Sequence, residues 1–180
     1  MKKYLKYLFQ LILSPRNGWE DIERAGVSPR RLLADGYYPL ITLAALSTLV
    51  RALYHHTEVL NMFVMMVVWF VVYFVGFFFG VFILSVFLEP QLEGEYDEER
   101  CLTFVAYVLG LEALITIVMQ CVPITPMVLF FLPIYVALVE WKSVAYMKIK
   151  PERVGIFMII AILGVLLPPY VFHYIFTAIL

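Results

Sequence analysis

From Asn61 to Leu88 the chain carries no charged side chain. A run of that length and composition has one stable setting, an α-helix in lipid, because only a helix satisfies every backbone amide and carbonyl without water. About 20 residues cross a hydrocarbon core of roughly 30 Å, so this run is expected to tilt or to extend past the bilayer. The rest of the 180-residue chain follows suit: 63% of its residues are hydrophobic and 15% charged. That leaves too little polar surface to coat a soluble globule.

Four further apolar runs predict spans. The expected fold class is an all-α integral membrane protein, a five-transmembrane-helix bundle with N-terminal amphipathic interfacial helices. The spans fall at about 39–54, 61–88, 101–122, 127–147 and 154–178, making residues 37–180 a transmembrane domain. The first is short, and Arg51 near its end is expected to snorkel to the interface. Pro123 and Pro126 predict a tight turn that makes spans three and four an antiparallel hairpin, and Pro168-Pro169 predicts a kink in span five. Gly76 and Gly80 form a small-xxx-small pair, read as internal helix packing in preference to dimerisation.

Residues 1–36 read as a cytoplasmic membrane-surface segment. Lys3, Lys6 and Gln10 recur at helical spacing, while Leu5, Leu8, Phe9, Ile12 and Leu13 fill the other side. A helix with a basic edge and an apolar face lies along an anionic membrane surface, which makes Lys2, Lys3 and Lys6 the expected lipid contacts. Ser14-Pro15 and Ser28-Pro29 each place a capping hydroxyl before a proline suited to a first helical turn, and Asp35-Gly36 is expected to break the second of these short helices. No small-residue cleavage site follows Leu13, so this segment is expected to be retained.

Loop charge orients the bundle. Seven Lys and Arg residues, from Lys2 to Arg31, precede span one, and Lys148, Lys150 and Arg153 lie between spans four and five; Arg51 falls on the other side. The positive-inside rule therefore predicts a cytoplasmic N-terminus and, with five spans, a C-terminus outside. The acidic link Glu89–Arg100 falls on the cytoplasmic side as well. The net charge of −1 gives no reason to expect nucleic acid as a partner. Cys101 and Cys121, about 30 Å apart if they share one helix, cannot form an intrachain disulfide.

Ionisable side chains inside a bilayer are costly and mark function by default. Glu112 falls near the middle of span three, Glu140 and Lys142 lie toward the cytoplasmic end of span four, and His173 lies in span five. These four form the candidate intramembrane polar site. In a hairpin of spans three and four, Glu112 is within reach of Glu140 or Tyr135, which would suit a proton relay or a cation site; the plainer expectation is an interhelical hydrogen bond with Glu140 and Lys142 snorkelling. His55, His56 and Glu58 in the first loop and His173 in span five are metal-ligating types, but adjacent histidines point in different directions on a helix and the plainer expectation is an ordinary polar loop. There is no Ser/His/Asp set and no phosphate-cradling glycine loop, so the expectation is no enzyme, no catalytic residue, no cofactor and no metal.

The phrases Ser14-Pro15-Arg16-Asn17-Gly18-Trp19-Glu20-Asp21-Ile22, Tyr38-Pro39-Leu40, Gly94-Glu95-Tyr96 followed by Leu102-Thr103-Phe104-Val105-Ala106-Tyr107, and Glu140-Trp141-Lys142-Ser143-Val144-Ala145-Tyr146 run along nearly the whole chain. Together they resemble the Yip-one domain (Ypt-interacting protein) family, and most closely its bacterial branch. The resemblance implies a five-span bundle with a cytoplasmic N-terminus, in a bacterial inner membrane. Eukaryotic members are associated with Rab-type GTPases and vesicle traffic; the Asp-Leu-Tyr-Gly-Pro phrase that similar eukaryotic proteins carry after span one is absent here. The expected function is a membrane scaffold or adaptor that binds lipid and a membrane or cytoplasmic protein, and the pattern allows a homo-oligomer. The alternative is a small transporter or channel subunit using Glu112.

Overall fold

The computed structural model describes residues 1–55, 58–122, 127 and 131–179. Helices carry nearly all of them: α1 (Lys2–Leu13), α2 (Pro15–Ala25), α3 (Pro29–Leu32), α4 (Tyr38–His55), α5 (Val59–Phe87), α6 (Glu98–Cys121), α7 (Leu132–Lys142), α8 (Val154–Ala161) and α9 (Pro168–Ile179). Among the described residues there is no β-sheet, only an isolated antiparallel bridge between Leu92 and Ile149. Four helical stretches are long and apolar enough to cross a membrane: Pro29–Tyr54, Val59–Phe87, Glu98–Cys121 and Pro151–Ile179. They coincide with the expected spans one, two, three and five. The Pro123–Pro126 turn, His56 and residues 128–130 of the expected fourth span lie outside the described residues, and α7 covers the middle of that span.

The four stretches are unequally buried. Within its most apolar window α6 is 72% buried, against 39% for α5 and for the last stretch, so α6 is the axis around which the others pack. On α5 the buried residues Val68, Val72, Gly76, Gly80 and Leu84 face the bundle, while Phe63, Val67, Phe70, Phe74, Phe78 and Phe82 are exposed. A soluble protein does not present such a row to water, and lipid accepts it. Gly76 and Gly80 pack internally: a Cβ on Gly80 would stand 3.2 Å from Val105 and 3.3 Å from the Gly164 carbonyl, and one on Gly76 would stand 3.7 Å from Pro169.

Several boundaries differ from those expected. Asp35-Gly36 does not break the chain; Leu33–Tyr37 is a π-helical turn that carries α3 into α4, so the division at residue 36 falls inside a continuous helix. The Ser14 and Ser28 hydroxyls do not cap α2 and α3, whose starts rest on Pro15 and Pro29. The helix expected to reach Met147 ends at Lys142. There Ser143 turns back with its hydroxyl donating to the Glu140 carbonyl at 2.6 Å, and Lys148 takes a left-handed φ of 52° before Ile149 meets Leu92. The kink in the last span takes the form of a π turn over Ile162–Leu166, with the Leu167 amide donating to the Ile162 carbonyl; the slack precedes two residues that have no amide hydrogen to give.

The amino-terminal helices form a layer against the bundle. Tyr4, Leu8 and Leu11, one stripe of α1, are buried, so of the apolar side expected to meet lipid Leu8 faces protein and Leu5 is half-buried, while Phe9, Ile12 and Leu13 remain exposed. Small residues make room for the stripe. A Cβ on Gly36 would lie 2.5 Å from the Tyr4 ring, and one on Gly110 would collide with the Tyr4 hydroxyl. Trp19 of α2 is buried among Phe104, Tyr107 and Tyr146, stacked on Tyr146 at 5.0 Å between ring centroids.

Candidate functional site

Helix α6 presents a polar row to the interior. Glu112, Thr116 and Gln120 follow at four-residue spacing, hence on one face, and all three are buried. Each meets a different surrounding. The Glu112 carboxylate accepts from the Tyr170 hydroxyl of α9 at 3.2 Å. Thr116 shares a 2.6 Å hydrogen bond with the Tyr73 hydroxyl of α5, and the Tyr73 carbonyl in turn accepts from the Tyr37 hydroxyl at 2.8 Å. Neither polar atom of the Gln120 amide has a partner among the described residues.

Glu140 completes the interior polar set. It is fully buried at the end of α7, and neither carboxylate oxygen has a partner among the described residues. It lies within electrostatic reach of Glu112. Tyr135 does not join them: its hydroxyl donates to the Ile12 carbonyl of α1 at 2.5 Å. A buried polar group without a partner costs about 1–3 kcal/mol, and more when it bears charge, so two such side chains in one bundle are uncommon.

The other two candidates lie apart. Lys142 sits over the exposed Trp141 ring at 4.8 Å, on the outside of α7. His173 is half-buried on α9, stacked on Trp69 with 4.3 Å between ring centroids. It shares a cavity with Arg51 and Gln120, whereas Glu112 is hydrogen-bonded to Tyr170. Sequence reasoning missed Tyr73, Tyr170, Thr116 and Gln120. The spacing of Gln120 from Glu112 was a readable signal; the tyrosines, scattered among many aromatics, gave none.

A second polar region lies at the opposite end of the bundle. Lys2, Lys3 and Lys6 are exposed on α1. Arg100, at the start of α6, pairs with Glu23 of α2 at 3.1 Å and with Asp97 at 3.4 Å, donates to the Tyr146 carbonyl, and stands over the Tyr146 ring at 5.1 Å. The acidic link and the basic turn are joined by the Leu92–Ile149 bridge, in which the Glu93 amide donates to Lys148 at 2.8 Å and the Lys150 amide to Gln91 at 2.9 Å. Burial raises the Tyr4 hydroxyl above the ordinary tyrosine range, with Tyr107 adding to the effect, and keeps it a donor to the Ala106 carbonyl at 2.6 Å. The segment, the link and the turn thus form one layer.

Set against models of protein families, against curated proteins and against solved structures, the chain matches none of them.

Proposed function

We propose that this protein is a five-span, Yip-like membrane scaffold or adaptor without enzymatic activity. Its amino-terminal layer grips anionic lipid on the cytoplasmic side and presents a surface to a protein partner. The observation that carries the reading is the three-sided character of α1. Tyr4, Leu8 and Leu11 lock it to the bundle, Lys2, Lys3 and Lys6 stay exposed, and Phe9, Ile12 and Leu13 stay exposed and apolar. A helix held rigidly with both a basic edge and a free apolar edge suits the headgroup boundary, where each lysine near an anionic surface adds about 1 kcal/mol. Helix α7 belongs to the fourth of these five spans, and the excess of Lys and Arg in the loops supports an N-terminus in the cytoplasm of a bacterial cell.

The test uses the full chain in liposomes, with Leu13→Cys labelled by an environment-sensitive dye in a background lacking Cys101 and Cys121. The dye is expected to report an apolar setting in phosphatidylglycerol membranes, and the combined change of Lys2, Lys3 and Lys6 to Glu is expected to shift it toward water. A water-like signal in the parent protein would sink the reading.

The buried polar row with Glu140 supports a second reading, a small transporter or channel subunit that uses Glu112. Membrane bundles rarely bury unpartnered polar side chains unless these serve a pathway. Ion flux into proteoliposomes that Glu112→Gln abolishes is the expected result; no flux in the parent under any ion gradient removes it.

A further inference from the structure

At the end of the bundle away from the amino-terminal layer, α4, α5, α6 and α9 enclose a cavity of about 280 Å³. Its walls differ in chemistry. The Trp69 and His173 rings, stacked on each other, make a flat side, and Met62 and Met65 line another part. Arg51, exposed at the end of α4, supplies a fixed positive charge, and Gln120, 3% exposed, brings in an amide whose nitrogen and oxygen have no partner among the described residues.

Each feature restricts the occupant. A guanidinium offers five donors in a planar fork and binds oxyanions with two parallel hydrogen bonds. A buried amide left unpartnered loses the free energy of its own solvation, and a ligand oxygen would restore the share that belongs to its N–H donors. Aromatic and thioether walls favour an apolar body and can adapt to its shape. Arg51 is also the only Lys or Arg in the chain outside the N-terminal segment and the residue ranges 100 and 142–153, so nothing in sequence near it supplies a competing positive charge.

We propose that the cavity bounded by Arg51, Gln120, Trp69 and His173 binds an amphipathic anion, a phosphate or carboxylate head carried on an apolar chain. The head meets Arg51 and Gln120, and the chain lies along Met62, Met65 and the aromatic pair. A lipid headgroup and a soluble alkyl anion share this chemistry. The site lies far from the lipid-gripping edge of α1 and is independent of the scaffold reading.

The experiment is equilibrium dialysis of hexyl phosphate against the full chain in uncharged maltoside micelles, corrected for protein-free micelles, with hexanol and inorganic phosphate as controls. One saturable hexyl phosphate per chain is expected, with both controls far weaker. Arg51→Gln is expected to weaken binding about tenfold and Arg51→Lys less, since a lysine keeps charge and loses the fork. Gln120→Leu, which keeps the volume, is expected to weaken it several-fold while the protein still elutes as a monodisperse peak. Competition by phosphatidylglycerol and not by phosphatidylcholine assigns the site to a lipid headgroup; no competition by either assigns it to a soluble anion. Absence of saturable binding, hexanol binding as well as hexyl phosphate, or equal affinity in Arg51→Gln each overturns the proposal. The Arg51 variants alter an exposed side chain, so the outcome stands even if Gln120→Leu does not fold.

Discussion

The Trp19 indole donates to the Val139 carbonyl at 2.9 Å, across 120 residues of sequence. Val139 lies in the last turn of α7, where carbonyls lack intrahelical partners, so the bond caps one helix with the side chain of another. Because Trp19 belongs to α2, the amino-terminal layer and the seventh helix hold each other in place.

Trp19→Phe keeps most of the aromatic packing and leaves the Val139 carbonyl without its donor. The expected loss is about 1–3 kcal/mol for a buried acceptor left unpaired. Trp19→Ala also removes the ring from among Phe104, Tyr107 and Tyr146 and is expected to cost about 3–5 kcal/mol. Unfolding in mixed micelles titrated with dodecyl sulfate reads both. Equal stability of the two variants would show that packing is not what Trp19 contributes.

Tyr4 and Gly110 should be coupled. A methyl on Gly110 collides with the Tyr4 hydroxyl, so Gly110→Ala is expected to destabilise by about 1–3 kcal/mol. Tyr4→Phe loses the hydrogen bond to Ala106, about 1 kcal/mol, and also removes the colliding atom. The double variant should therefore be more stable than the sum of the single losses allows, by about 0.5 kcal/mol or more, in the same titration. Strict additivity would place the two residues out of contact.

How legible this was depends on the range of the forces involved. The runs that became α4, α5, α6 and the α8–α9 stretch were readable because twenty apolar residues leave the backbone one choice. The boundaries that moved were decided by tertiary contact. Leu33–Tyr37 stays helical where Asp35-Gly36 suggested a stop, because Gly36 is needed to admit the Tyr4 ring and its backbone need not turn to do so. In the same way α7 stops at Lys142 because Ser143 folds back onto Glu140, and the turn beyond it is pinned by the Leu92–Ile149 bridge, more than fifty residues away in sequence. Of the polar interior, Glu112 and Glu140 were legible as ionisable groups within apolar runs, while the row that Thr116 and Gln120 make with Glu112 at four-residue spacing was missed. Tyr170 and Tyr73 became visible only once the fold had brought α9 and α5 against that row.

Arg100 should not tolerate lysine. Its guanidinium reaches Glu23, Asp97 and the Tyr146 carbonyl together while lying over the Tyr146 ring, a set that one ammonium group cannot span. The arginine side chain is 16% exposed and its two acidic partners about half, so solvent screens the ion pairs and the main loss is in the bond to Tyr146 and the stacking. Arg100→Lys is expected to cost about 1–2 kcal/mol. It should also expose the loop at Asp97 and the turn at Tyr146 to limited proteolysis. Proteolysis unchanged from the parent would show that the clasp does not hold the layer.

Glu140 separates the two functional readings. A buried carboxyl group with both oxygens unpartnered among the described residues opposes folding, and an apolar residue of similar volume removes that opposition. Glu140→Met is therefore expected to raise stability by about 1–3 kcal/mol in the micelle titration. Glu112→Leu should behave differently, because it breaks the bond with Tyr170 and leaves that hydroxyl, at the edge of the interior, without its acceptor. If the protein is a scaffold, the more stable Glu140→Met chain should capture the same partner and hold the dye at residue 13 in the same apolar setting. If it moves an ion through the bundle, the same change should stabilise the fold and abolish flux, the pattern of a residue retained for function at the expense of stability. A loss of stability in Glu140→Met would overturn this prediction, since it would mean that the carboxyl group has a structural partner.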